Sequence, residues 1–148
     1  MGEVIGTELP PAVMNFVRGG RIVIVATVDE DGKPNSAPFS WAVARDSKTI
    51  RIGINHEIST LHNIRRSGQV SMTISSPDIQ VTMKGTAKVV KEMIEEAPLP
   101  TAIVEVTIHE VRDDGVIGRP RPGEERVRWM DRRRLLSDTT IISALLRD

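Results

Sequence analysis

Residues 26–64, ATVDEDGKPNSAPFSWAVARDSKTIRIGINHEISTLHNI, decide how this chain folds. Ala26-Thr27-Val28 closes a β-branched run. DEDGK (29–33) follows, with Gly32 able to take positive φ, which is the composition of a hairpin turn. PNSAPFSWAVAR (34–45) is mostly extended, but Pro34 and Pro38 cannot donate to a ladder, so this strand is interrupted or at an edge near its start. RDSK (45–48) is the next turn. TIRIGIN (49–55) alternates cleanly, with Ile50, Ile52 and Ile54 on one side and Arg51 on the other. The period then becomes helical: Ile58, Leu61 and Ile64 recur at helical spacing, and Gly68 stands where a helix ends. Two hydroxyls, Ser59 and Thr60, mark the helix start.

Before this unit, residues 1–9 read as a loose tail. Pro10 and Pro11 open a short helix bearing Val13, Met14, Phe16 and Val17, which Gly19-Gly20 stops. RIVIVATV (21–28) is a continuous apolar run, expected as a strand buried on both sides. After the unit come a strand at 69–76 and a long strand at 79–91 with Gly85 as a bulge or bend. One helical turn is expected within 92–100, then an alternating strand at 101–113. A polar loop follows at 113–125, then an ambiguous segment with a final strand to about Trp129. SDTTIISALLRD (137–148) reads as a capped C-terminal helix with Ile141, Ile142, Leu145 and Leu146 inward. The expected fold is mainly β with flanking helices: six or seven largely antiparallel strands closed into a small barrel, because closure removes exposed edges.

A chain of 148 residues fits one domain with its own core. Twenty basic and twenty acidic residues cancel, which gives no general attraction to nucleic acid or anionic membrane. There is no cysteine, which excludes disulfides, thiolate metal sites and a cysteine nucleophile. No run reaches the ~18 apolar residues of a membrane span, and the N-terminus lacks a signal-peptide pattern, so a cytoplasmic protein is expected. The three histidines, His56, His62 and His109, are not spaced to converge on a metal. The arginines of 126–134 are interleaved with Glu124, Glu125 and Asp131, which reads as a solvated face or an inter-subunit patch.

The helix start carries the chemistry. Unpaired N–H groups and the helix dipole suit a phosphate there, and Ser59 and Thr60 add donors without charge. The ordinary role of such hydroxyls is capping, by Ser59 or a residue just before it. Arg51, Arg65, Arg66 and Lys84 are the candidate counter-cations, each also readable as a solvated charge. The small residues of Pro34-Asn35-Ser36-Ala37-Pro38 leave backbone groups accessible to a flat ring, or mark a bulged edge. Trp41 and Trp129 could cover a cofactor or substrate, with a dimer interface the expected role.

In order and spacing, ATVDEDGKPNSAPFSW, TIRIGIN and STLHNIRRSGQVSMTI resemble the pyridoxamine 5′-phosphate oxidase-like, flavin-binding split-barrel proteins, over about residues 10–110. The resemblance implies a split β-barrel and a homodimer with two FMN sites between the subunits. It implies that Asn35, Ser36, Ala37 and Pro38 line the flavin ring and ribityl chain. It places Gly53, Ile54 and Asn55 where the backbone meets the flavin, Ser59 and Thr60 at the phosphate, and Gln80 at the cofactor. The chain departs from the oxidase itself, which has a basic pair in place of Ser59-Thr60 and cations in place of Ala37 and Ala42. The oxidase's C-terminal signature is echoed loosely by Trp129 and Arg134-Leu135. The expected function is an FMN-dependent oxidoreductase acting on a small substrate. The alternatives are a non-catalytic flavin-binding or electron-carrier module, and a split barrel using a deazaflavin coenzyme or haem.

Overall fold

A computed structural model of the chain describes residues 3–115 and 139–147. Two compact units divide the chain, Met1–Asp114 and Gly115–Asp148. The first contains β1 (Glu3–Gly6), α1 (Pro11–Phe16), β2 (Val23–Val28), β3 (Pro34–Phe39) and β4 (Ala42–Ala44). It continues with β5 (Thr49–Asn55), α2 (Ser59–Ser67), β6 (Gln69–Ser75), β7 (Gln80–Lys91) and β8 (Thr101–Asp113). In the second, a helix runs over 139–146, where the four large apolar side chains expected inward are exposed. The strand ending near Trp129 and the arginine cluster lie outside the described residues.

The strands form one antiparallel sheet in the order β3-β2-β6-β7-β8-β5-β4, with β1 added on β8. The fold is therefore the expected one: mainly antiparallel β, curled into a half-barrel consistent with a split barrel, with few helices. The long strands make the curl. β8 pairs with β5 over Thr101–Thr107 and with β7 over Ile103–Asp113, so it serves two halves of the sheet at once. The ladder shifts register between Lys84 and Gly85, with Lys84 opposite Glu110 and Gly85 opposite Ile108, so the extra residue, His109, lies on β8 across from the glycine expected to mark a bulge or bend. Inside the curl, alternate residues of β2, β5, β6, β7 and β8 form one core, including Val25, Ile52, Met72, Met83 and Val106. Val13 of α1 and Val17 just after it close the core on one side, and Leu61 and Ile64 close it from α2.

Three expectations are corrected. The N-terminal residues are no loose tail throughout, because Glu3–Gly6 pairs with the far end of β8, with Val4 opposite Arg112. An open strand edge offers unpaired backbone groups, and a short segment without apolar alternation can fill it. β2 is buried on one face only, with Ile24 and Val28 exposed, as is Ile22 just before it, since the barrel interior takes only every second side chain. Residues 92–100 form turns rather than a helical turn, with the Ile94 N–H donating to Thr101 O at 2.9 Å.

Candidate functional site

The chain leaves β5 through Asn55. Its side-chain Oδ1 accepts from the Glu57 N–H at 2.9 Å, and its carbonyl accepts from the Ile58 N–H at 3.1 Å. This turn delivers α2. The N-cap residue is Ile58, extended in backbone and without a side-chain cap, and Ser59 and Thr60 are the first two helical residues. The capping hydroxyl expected at Ser59 or just before is therefore displaced by one position, and an isoleucine cannot cap. The far end follows the usual rule, with Gly68 in the left-handed region at φ 71°. At the start the Leu61 N–H donates to Ile58 O at 3.0 Å, and without a side-chain cap the first N–H groups of the helix, with its partial positive charge, are left as donors there.

Two polar pairs, one buried and one partly buried, fasten this helix to the hairpin. Asn63 Nδ2 donates to Thr27 Oγ1 at 3.0 Å, and Asn35 Nδ2 donates to Thr60 Oγ1 at 3.4 Å. Thr27, Thr60 and Asn63 are all buried. On the outside of the same junction Arg66 donates to the carbonyls of Val28 and Asp29 at 2.7 and 3.0 Å, and His62 meets Glu30. The side chain of Thr60 thus faces inward, while Ser59 is exposed at the helix start. The Thr27–Asn63 pair has no distinct sequence signal beyond an amide close to the apolar positions Leu61 and Ile64.

The outward side of β5 carries Arg51, Gly53 and Asn55, opposite the buried Ile50, Ile52 and Ile54. Gly53 is six residues of chain before Ser59, where α2 starts, so this side of β5 leads to the helix start. Trp41 lies over Gly53: a Cβ there would stand 3.3 Å from the indole Cε3 and 3.4 Å from Thr101 Cγ2. The Gly53 N–H donates to Trp41 O at 2.8 Å. A groove of about 340 Å³ opens here, lined by Gly20, Trp41, Arg51, Gly53, Ile94 and Ile103 among others. Ile54 points into the core and presents only its backbone.

On β3, Ser36 and Pro38 are exposed, while Asn35 and Ala37 are partly buried. Gln80 lies elsewhere in the chain. Its Oε1 accepts from Ser75 Oγ at 2.8 Å and its Nε2 donates to Ser76 O at 2.6 Å, closing the β6–β7 turn. Ladder pairing runs Ala26–Ser71–Lys84, so Lys84 and not Gln80 stands on the rows beside the β2–β3 hairpin. A second groove of about 340 Å³ on that outer face includes Val28, Pro34, Ser71, Lys84 and His109. Trp129 lies outside the described residues.

The candidate cations are engaged. Arg51 Nε donates to Glu105 at 2.9 Å, Arg65 forks onto both oxygens of Glu92 at 3.0 and 2.6 Å, and Lys84 pairs with Glu110 at 3.8 Å. The Arg65 hydrogen bond holds the Glu92 carboxyl below its ordinary pKa and raises that of Arg65 in return. Among the described residues no three His, Cys, Asp or Glu side chains come together as a metal site. Nor is any described helix long and apolar enough to cross a membrane.

A family model described as pyridoxamine 5′-phosphate oxidase matches residues 9–115, the span that carries α1, the curled sheet and α2. The chain belongs to the pyridoxamine 5′-phosphate oxidase family. No curated protein matches it. Among solved structures, this family member is similar to a candidate pyridoxamine 5′-phosphate oxidase from Lactobacillus delbrueckii, at 22% identity and a TM-score of 0.64, over 75% of this chain and 98% of that one. HupZ from Group A Streptococcus aligns at 18% identity and a TM-score of 0.61, over 72% and 99%. An F420 reductase aligns at 17% identity and a TM-score of 0.58, over 70% and 98%. At such identities the likeness is one of fold.

Proposed function

We propose that this member of the pyridoxamine 5′-phosphate oxidase family is an FMN-binding protein and works as an oxidoreductase on a small molecule. The observation that carries the reading is the uncapped start of α2, in line with Asn55 and Gly53 on the outward side of β5. Backbone N–H groups at a helix N-terminus suit a phosphate, and the Ser59 hydroxyl adds a donor. The donor set fits an anionic tail, and the small residues of β3 together with the groove beside Trp41 leave room for a flat ring next to it. FMN, when bound, supplies hydride or single-electron transfer at its ring. The protein's part is to hold the tail at Ser59, to orient the ring along β5 with backbone groups of residues 53–55, and to exclude water.

The same reading includes a homodimer. Ile24 and Val28 on β2, with Ile22 just before it, form an exposed apolar row, and Pro38 and Pro34 stand across the ladder from Ile24 and Val28. A second copy would cover this row together with the outer groove at Lys84 and His109, completing a cofactor cleft between subunits. A second reading, a deazaflavin coenzyme in the same cleft, is favoured by one feature: Arg51, Arg65, Arg66 and Lys84 all have other partners, so the helix start relies on neutral donors.

Purified protein titrated with FMN tests the proposal, with flavin absorbance at roughly 450 nm as the readout. Ser59→Asp places a carboxylate at the helix start, which suits the helix but competes with a phosphate. It is expected to weaken FMN about tenfold and to leave riboflavin, which has no phosphate, unchanged. Equal FMN affinity in the two proteins would remove the phosphate assignment.

A further inference from the structure

Among the described residues, Trp41 is the large aromatic side chain standing over Gly53 on the outward side of β5, and it is 53% exposed. Its backbone is pinned, because its carbonyl accepts the Gly53 N–H at 2.8 Å. The indole rests against the one position of β5 that has no side chain, at a distance where a Cβ on Gly53 would press on the ring. One surface of the indole is thus supported by backbone, and the rest borders a groove of about 340 Å³ with Ile94, Ile103 and Gly20. A volume of that order is at the lower end of small-ligand sites. An aromatic ring backed by rigid strand loses little freedom when a second ring stacks on it. Arg51 borders the same groove, but its guanidinium is held by Glu105, so this end of the cleft selects for a flat, weakly charged group rather than for an anion.

We infer that Trp41 is the stacking platform for the ring end of the ligand and sets the preference for a planar heteroaromatic group there. This rests on the flavin-binding reading above and adds a residue that makes the ring, rather than the phosphate, the source of selectivity. The two ends of the cleft then respond independently: the α2 start senses the phosphate, and Trp41 senses the ring.

The experiment compares full-length wild type, Trp41→Phe and Trp41→Ala, each titrated with FMN and with riboflavin. Trp41→Ala should weaken both ligands about tenfold, and Trp41→Phe less than about threefold. Tryptophan emission should fall as wild type binds either ligand, and that quenching should be largely lost in Trp41→Phe, where Trp129 is the remaining indole. Circular dichroism confirms that the variants are folded, as expected for a half-exposed side chain. If both variants bind FMN and riboflavin as wild type does, or if quenching survives in Trp41→Phe, the inference is overturned while FMN binding stands. If folded wild type binds neither ligand, the flavin-binding reading fails first and takes this inference with it.

Discussion

The Thr27–Asn63 hydrogen bond offers a direct test of how α2 is held. Both side chains are 3% exposed or less and meet at 3.0 Å, so neither polar group can turn to water when its partner is lost. Asn63→Leu keeps the volume and strands the Thr27 hydroxyl, and Thr27→Val keeps the shape and strands the Asn63 amide. Each single change is expected to cost about 2 kcal/mol, the penalty for a buried unsatisfied group. Replacing both removes both desolvation terms, so the double variant should lie within about 1 kcal/mol of wild type. The cycle would then show a coupling of about 3–4 kcal/mol. Urea denaturation with a constant slope measures it, and each single variant should melt roughly 6–8 °C lower in a scan. Because Asn63 sits one turn after Ser59, FMN affinity should fall several-fold in the singles and return in the double. Simple additivity of the two single changes would refute the view that this pair, rather than apolar packing alone, holds the helix in place.

Gly85→Ala should destabilise by about 3 kcal/mol or more, because the new Cβ would lie 2.5 Å from Thr107 O and 2.9 Å from Val106 Cγ1. A urea midpoint unchanged from wild type would contradict that. Ile24→Lys or Val28→Lys places a charge in the exposed row of β2; sedimentation should give twice the chain mass for wild type and a monomer for the variants. The Lys48 N–H hydrogen bond, followed by the Thr49 hydroxyl, holds the Asp46 carboxyl below its ordinary value of 3.8. Its folded pKa lies below the unfolded one, so its contribution is full above the ordinary value and fades as pH falls through the lowered one. Asp46→Asn should therefore flatten the acid limb of the stability curve, and a carboxyl-carbon titration of Asp46 at or above the ordinary value would contradict the assignment.

How much was legible differs between fold and site. TIRIGIN alternates so regularly that its inward and outward sides follow from side-chain period alone, and Gly32, Gly68 and Gly85 mark a hairpin, a helix end and a bulge by what a missing Cβ permits. Ser59 was harder, because hydroxyls near a helix start look alike whether they cap or stand one residue inside. Gln80 looked available for a ligand, yet within one protomer it closes its own turn with Ser75 and Ser76.

Local rules thus determined the strands, the turns, the helix and the antiparallel class, since these depend on period and backbone permission within a few residues. Only the tertiary structure decided that β2 buries one face, that Glu3–Gly6 pairs with β8, that Asn63 meets Thr27 and that Trp41 lies on Gly53. Each of these joins segments separated by more than ten residues or depends on how the sheet curls. Which face ends up covered is set by the closing of the whole sheet around one core, and no window of sequence contains that.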